Sequence, residues 1–409
     1  MAEVKDFNAY RKKRNANKNT TPAREQSRPE QTASAGNAKR ASWIRMLSVL
    51  VVIAVLAMIS YFSWRDKTYS QANVVSNVNI ADAQDVTSAG LADCILQYSK
   101  DGVSLMHANG EVVWNQTYEM QNPMLETCGN YAAIADYNGS TVYVMDTTSP
   151  VGEFHTNLPI RAFQVASQGV VAVVLDDTDV TWINLYNSDG TELAAFRTTM
   201  GDSGYPFSVA LSPNGKLVCV SFLRVEGGHT KTSIAFYNFG SVGQNESDNF
   251  VGGYDYPDCI VPRVRFLDDS HLYAISTDRI MFFEGDEVPK PGRTTMLGGE
   301  EIRAVYESEA GVAVCFPGGS DEGAYRLQTY DNKGELLFTR YLDVEYKGLA
   351  FGNNYIVLYN SDAWRVLGAD GNDRYEGSFD FTVRTVLPTA TRGRYILAGT
   401  DRIQTIELK

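Results

Sequence analysis

An all-β propeller of four-stranded blades, preceded by one transmembrane helix and a disordered basic tail, is the architecture that this 409-residue sequence predicts. Three observations carry the expectation. Residues 46–64 are nineteen consecutive uncharged, mostly apolar positions, and a run of that length has one ordinary explanation, a span of the bilayer. Beyond residue 72, apolar runs of five to eight residues alternate with turn residues, and no helix-period stretch of useful length follows. That is a strand pattern. The runs recur about every 42 residues, the spacing of four-stranded propeller blades.

The chain begins with a tail, residues 1–42, rich in Lys, Arg, Asn, Gln, Ser and Thr and poor in anything that forms a core, so it is read as disordered. Its run Tyr10-Arg11-Lys12-Lys13-Arg14 suits anionic headgroups or nucleic acid, or serves as a solvated topology determinant. The helix is assigned to residues 43–65, and its nineteen-residue apolar part covers about 28 Å, close to the hydrocarbon thickness. Trp43, Tyr61, Phe62 and Trp64 suit the two interfaces. Residues 1–45 hold eleven Lys or Arg against four Asp or Glu, a net of +7, and the remainder holds 25 against 45, a net of −20. Basic flanks resist translocation, so the amino terminus is expected in the cytoplasm and residues 66–409 outside the cytoplasmic membrane. A cleaved signal peptide is the rival reading, with Ser70-Gln71-Ala72 as its small-x-small site, but its apolar region would be shorter and its leader much shorter.

In the outer part, successive apolar runs begin near Cys94, Tyr131, Val170, Leu217, Leu272, Val312, Tyr355 and Tyr395, at intervals of 37, 39, 47, 55, 40, 43 and 40. Thr277-Asp278-Arg279-Ile280 and Thr400-Asp401-Arg402-Ile403 are identical and 123 residues apart, three periods of 41. Asn109-Gly110, Asp189-Gly190, Lys333-Gly334 and Asp370-Gly371 occupy equivalent turns, where glycine fits a hairpin needing positive φ. The last unit lacks a fourth strand, and residues 73–80 are a strand candidate with no unit of its own. Pairing the two closes the ring and removes an exposed edge. Eight blades are favoured; seven is the alternative, because the interval of 55 contains the longest irregular stretch, residues 239–260.

The period, the recurrent Asp-Gly turns and Ser212-Pro213-Asn214-Gly215-Lys216 resemble the quinoprotein-like and WD-repeat-like propeller superfamily. Basic tail, single span and propeller together resemble a family of bacterial single-pass membrane proteins that carry an extracytoplasmic propeller domain of unknown function. The resemblance implies a fold and a location, and no activity. Trp-Asp dipeptides are absent, and the outer tryptophans, Trp114, Trp182 and Trp364, sit at unequal positions in their units, so a quinone cofactor is not expected.

No catalytic or metal motif stands out, and no cofactor is assigned. Gly201-Asp202-Ser203-Gly204 matches a serine-protease nucleophile segment, but no upstream histidine has the required context, and the register makes it a connector between blades. His107, His155, His229 and His271 lack metal-ligand spacing. Five cysteines lie beyond the span; Cys219 and Cys315 read as small core residues, and Cys94 with Cys128 is the one candidate bridge between neighbouring blades.

Surface remains. The turn between the second and third strands of each blade shares a face with the loops that link blades. In this register that face collects Asp101, Asp177, Asp179, Asp278, Arg279, Asp362, Asp401 and Arg402 from turns, and Tyr205, Tyr254, Asp255, Tyr256, Asp258, Glu300, Glu301, Tyr341, Asp343 and Tyr346 from connectors. Tyrosines among carboxylates suit peptide, sugar or cationic partners, and the same residues are ordinary turn chemistry on an acidic, soluble surface. The leading expectation is a non-enzymatic, membrane-anchored binding or scaffolding module for a protein, peptide or envelope polymer, with no nucleic acid for the outer domain. A transmembrane signalling or assembly component and a carboxylate-based hydrolase of the envelope are the alternatives.

Overall fold

A computed structural model of the chain describes residues 35–80, 85–177, 180–199, 201, 203–319, 323–352 and 354–409. The basic run at Tyr10 and Asp179 lie outside the described residues. Two compact units emerge, Met1–Arg65 and Asp66–Lys409. The first contains an α-helix, Ala35–Arg65, within which Met46–Ser63 is long and apolar enough to cross a membrane. The helix begins at Ala35, eight residues before the start read from the sequence. Ala35, Ala38, Lys39, Arg40 and Ala41 are good helix formers, and adding residues to a nucleated helix is easy.

Asp66–Lys409 is an eight-bladed propeller. Blade 1 comprises Thr87–Leu91, Cys94–Tyr98, Gly102–Met106 and Val112–Thr117; blade 2, Pro123–Cys128, Tyr131–Asp136, Thr141–Asp146 and Pro150–His155. Blade 3 comprises Ile160–Val165, Val171–Asp177, Val180–Tyr186 and Glu192–Thr199; blade 4, Tyr205–Leu211, Leu217–Glu226, His229–Asn238 and Phe250–Pro257. Blade 5 comprises Arg263–Phe266, His271–Ile275, Arg279–Glu284 and Lys290–Met296; blade 6, Ala304–Ser308, Gly311–Pro317, Tyr325–Asp331 and Leu336–Leu342. Blade 7 comprises Gly348–Gly352, Tyr355–Tyr359, Ala363–Gly368 and Asp373–Ser378. Blade 8 has Val383–Pro388, Arg394–Gly399 and Arg402–Leu408, and takes its outermost strand, Ala72–Asn79, from the start of the propeller. That strand pairs antiparallel with Arg402–Leu408, Ala72 opposite Leu408 and Asn79 opposite Arg402. The ring closes as its unpaired ends predicted.

The apolar runs read from the sequence are the second strands of the blades, so the period was set by the most buried strand of each sheet. Strands such as Cys94–Tyr98 and Tyr131–Asp136 are buried along most of their length because both faces of the sheet meet a neighbouring blade. The core is therefore a set of layers: buried apolar residues form eight clusters, each joining two adjacent blades, as Phe236 of blade 4 meets Phe283 of blade 5 at 5.3 Å between ring centroids. The turn glycines Gly110, Gly190, Gly334 and Gly371 have φ between +75° and +83°. A Cβ on any of them would come within 2.6 Å of Val78, Phe154, Phe282 or Phe338 on the preceding blade. The turn is thus also a blade-to-blade contact.

Two expectations are corrected. Much of the stretch 239–260 is regular, since Phe250–Pro257 forms the outermost strand of blade 4. The interval of 55 arises from ten-residue second and third strands and two short 3₁₀ turns, Gly243–Asn245 and Ser247–Asn249. Glycine-rich Val251-Gly252-Gly253 hides the strand signal there. All five cysteines are free, including Cys94 and Cys128. Cys94 is buried in blade 1 with its Sγ 3.4 Å from His107 Nδ1.

Candidate functional site

The innermost strands of the blades line the central channel, and alternation decides which side chains reach it. In Arg263–Phe266, Val264 and Phe266 enter the layer between blades 4 and 5, which turns Arg263 and Arg265 to the other side. Bulges add to this. Pairing slips between Ile160 and Ala162 in blade 3 and between Pro206 and Ser208 in blade 4, and such slips re-aim the extra residue. Those residues are Arg161 and Phe207, and both line a cavity of about 850 Å³.

The cavity occupies the channel among blades 2 to 6. Met124, Glu126 and Gln164 come from the innermost strands of blades 2 and 3, and Gly299, Glu300, Glu301, Ile302 and Arg303 from the connector between blades 5 and 6. With Ser276 and Thr277 from the turn between the second and third strands of blade 5, this composition places the mouth on the face formed by those turns and the blade-to-blade connectors.

Ion pairs tie the floor across the channel. Arg265 of blade 5 reaches Glu126 of blade 2 at 2.7 Å, Gln164 of blade 3, and Glu307 of blade 6 at 3.7 Å. Glu307 also pairs with Arg263 and accepts a hydrogen bond from the Tyr273 hydroxyl at 2.6 Å. Burial raises the pKa of Tyr273 and keeps that hydroxyl protonated as a donor. Nearer the mouth, Arg161 is fixed by Asp176 at 2.6 Å and lies 5.7 Å over the Tyr137 ring. Phe207 remains 44% exposed, an aromatic ring with a free face in a polar channel.

The residues picked from turns and connectors are spread over several blades. Asp177 is exposed at the end of the second strand of blade 3. Asp278 and Arg279 pair with each other at 2.6 Å in blade 5, and Asp401 and Arg402 at 3.3 Å in blade 8, where Arg402 also lies over Phe381. Each repeat thus neutralises its own turn. Tyr205 opens the innermost strand of blade 4, two residues before Phe207. Tyr254 and Tyr256 pack on the layer between blades 4 and 5, with the Tyr254 hydroxyl donating to the Pro289 carbonyl at 3.0 Å. Asp255 points to the opposite side of the strand, where Lys231 at 2.7 Å and the Ser233 hydroxyl at 2.6 Å hold its carboxyl below the usual range. Tyr341 lies in the outermost strand of blade 6, opposite Arg326. Of the connector residues, Glu300 and Glu301 line the cavity; Asp258 pairs with His229 at 3.0 Å. Ser203 of the Gly-Asp-Ser-Gly segment sits in the connector between blades 3 and 4, its N–H donating to the Thr199 carbonyl. Among the described residues, no group of His, Cys, Asp or Glu is arranged to hold a metal ion.

Arg161, Arg263, Arg265, Glu126 and Glu307 were missed because the innermost strands are short and were absorbed into the connectors. Arg-Val-Arg-Phe, with charge and bulk alternating at period two, is the signal that marks one of them.

Fold and cavity together define a propeller with a one-sided, charge-lined central cavity. Residues 65–408 match the family of unknown function DUF5711, and the chain belongs to that family. A search of curated proteins gives no match. Among solved structures, the chain is similar to Sqt1 of Saccharomyces cerevisiae, at 11% identity and TM-score 0.53 over 83% of this chain and 100% of that one. It is also similar to a eukaryotic initiation factor, at 13% and 0.50 over 78% and 82%, and to BamB of Moraxella catarrhalis, at 15% and 0.48 over 83% and 98%. At these identities the likeness shows the fold alone.

Proposed function

We propose that the protein is a non-enzymatic binding module, anchored in the cytoplasmic membrane by its apolar helix with the propeller outside, that engages a protein, peptide or envelope polymer through the channel cavity. The carrying observation is that cavity: about 850 Å³, walled by five blades, with Phe207 and Arg161 turned inward at bulges. It is within the size range of ligand sites. Binding is supported over hydrolysis by the pairing of its deep carboxylates. Glu126 and Glu307 both contact Arg265, so each already serves as an ion-pair partner within the protein. The flanking charges, +7 before the span and −20 after it, support the orientation. The chain joins the propeller through residues 66–71, where the Tyr69 N–H donates to the Arg374 carbonyl and Asp66 pairs with Arg374 at 3.1 Å. Arg374 is the second residue of the outermost strand of blade 7.

A photo-crosslinking amino acid placed at Phe207 in living cells tests this. Adducts are expected from Phe207 and not from Leu193, which is 55% exposed on the outermost strand of blade 3. Equal labelling from both positions, or none from Phe207, overturns the cavity as the binding site. Protease treatment of intact spheroplasts should digest the propeller; its survival until permeabilisation refutes the placement.

A further inference from the structure

Within the binding reading just given, on which this rests, we infer that the cavity takes an uncharged, hydroxyl-rich ligand, a neutral oligosaccharide. Pairing of the charges on its wall disfavours an ionic occupant. Arg161 is held by Asp176, and Arg303 by Glu301 at 3.4 Å. Arg263 and Arg265 share Glu307, Arg265 also takes Glu126, and Glu300 pairs with Arg326. Among the described residues, five arginines thus meet five carboxylates, and the charged lining with its partners sums to zero. A charged ligand would bring an uncompensated charge into this partly buried network or force a pair apart, and both are costly. An uncharged ligand does neither.

The same ion pairs favour hydroxyls. Guanidinium forks and carboxylates have more donors and acceptors than a single partner uses, as at Arg263, whose side chain is 46% exposed beside Glu307. Groups of this kind are hydrated in an open cavity, and a ligand that displaces ordered water without reproducing its hydrogen bonds loses affinity. Among uncharged ligands a sugar brings the most hydroxyls for its size, and each both donates and accepts. A peptide brings one N–H and one C=O per residue from its main chain. The apolar part of the wall fits the other side of a sugar. Phe207, at the bulge in the innermost strand of blade 4, is 44% exposed, and Tyr205, two residues toward the connector, is 37% exposed. An aromatic ring offers a rigid flat contact, on which the C–H face of a pyranose lies while its hydroxyls point to the charged wall. About 850 Å³ gives room for a short segment of such a chain.

The test uses the full chain in phosphatidylcholine nanodiscs and fluorescence polarisation with pools of short probes that carry the same uncharged fluorophore. One pool holds neutral oligosaccharides of glucose and N-acetylglucosamine, a second the matching uronic acids, and a third acetylated, amidated peptides of uncharged residues. The neutral sugar pool should bind at least tenfold more tightly than the uronic acids, about 1.4 kcal/mol, and its affinity should hold from low to high salt because the ligand has no charge to screen. Phe207→Leu keeps apolar bulk without the flat ring and should weaken the neutral sugars about tenfold; Phe207→Tyr keeps the ring and should retain them. Loss in both variants overturns the stacking contact. Equal binding of the uronic acids overturns the uncharged assignment. Preference for the peptide pool overturns the sugar assignment and leaves cavity binding standing. If no pool binds, this inference falls, and the crosslink from Phe207 decides the binding reading separately.

Discussion

Gly334→Ala separates the two roles of a turn glycine. Gly334 follows the third strand of blade 6 with φ +80°, and a Cβ there would lie 2.3 Å from Cδ2 and 2.7 Å from Cε2 of Phe282 in blade 5. Phe282 is fully buried and has no room to retreat. The left-handed backbone costs a non-glycine residue about 1–2 kcal/mol, and forcing a methyl into a packed layer adds about 1–3 kcal/mol. The sum is about 2–5 kcal/mol, a large part of the 5–15 kcal/mol typical of a folded domain. Gly227→Ala is the matched control: its φ is +59° and nothing lies within 4 Å of the added Cβ, so only the backbone term of about 1–2 kcal/mol applies. Urea unfolding followed by tryptophan fluorescence compares the two. Gly334→Ala should be the less stable by about 1–3 kcal/mol, and Phe282→Leu in the same chain should recover part of the difference. Equal losses would refute the claim that these turns form blade-to-blade contacts.

Arg265→Met should destabilise by about 2–4 kcal/mol in urea, because two partly buried carboxylates, Glu126 and Glu307, lose a shared partner; adding Glu126→Gln should restore part of it. Acid should unfold the propeller below about pH 4. Hydrogen bonds from Lys231 and Ser233 lower the Asp255 carboxyl, and at Asp268 burial pushes upward but is outweighed by bonds from Ser270, His271 and Asn332. A depressed folded pKa gives stability that is present above the unfolded value near 3.9 and lost as pH falls through the folded one, so Asp255→Asn with Asp268→Asn should flatten thermal melts over that window. Thiol titration of the denatured chain without reductant should count five thiols, whereas a Cys94–Cys128 bridge would leave three. In the native protein burial pushes Cys128 up to about 11, so its alkylation at pH 8 should be slow and should accelerate about tenfold per pH unit.

Blade period and closure were legible because both follow from backbone needs that composition records. Second strands buried on two faces read as continuous apolar runs, and the start of each falls within one residue of its expected position, as at Cys94, Tyr131, Leu217 and Tyr355. The channel residues were harder to read for a physical reason. Turn charges such as Asp278 and Arg279 are conspicuous in sequence but satisfy each other. Glu126, Gln164, Arg265 and Glu307 come from four blades and acquire meaning only when the ring brings them together. The separation between Gln164 and Arg265 is 101 residues and between Glu126 and Arg265 is 139, and no local period relates such positions. Tyr254 and Tyr256 show the converse: aromatic rings near turn residues resemble a binding loop until strand pairing turns them into a blade interface.

The layer at which the ring closes is one of the two with the smallest buried cluster. Among the described residues, the buried cluster between blades 8 and 1 holds five, Ile95, Met106, Ile396, Ala398 and Ile403, and that between blades 6 and 7 holds six, against ten or more in the other layers. The ladder that closes the ring lies within blade 8, between its third and outermost strands. Ala72–Asn79 runs along Arg402–Leu408, and both ends are fastened, by Ile80 N–H to the Asp401 carbonyl at 2.8 Å and by mutual bonds between Gln71 and Lys409. Hydrogen bonds are directional and registered where apolar contact is neither, so a seam joined late by two distant chain segments gains specificity from the ladder that a small core cannot provide. The cost is kinetic. Loop closure across more than 300 residues must precede any of these bonds, which makes this strand a late element in folding and the first that unfolding can peel away. The strand that completes the propeller is the first of the propeller in chain order, so integrity of the ring depends on its eight residues.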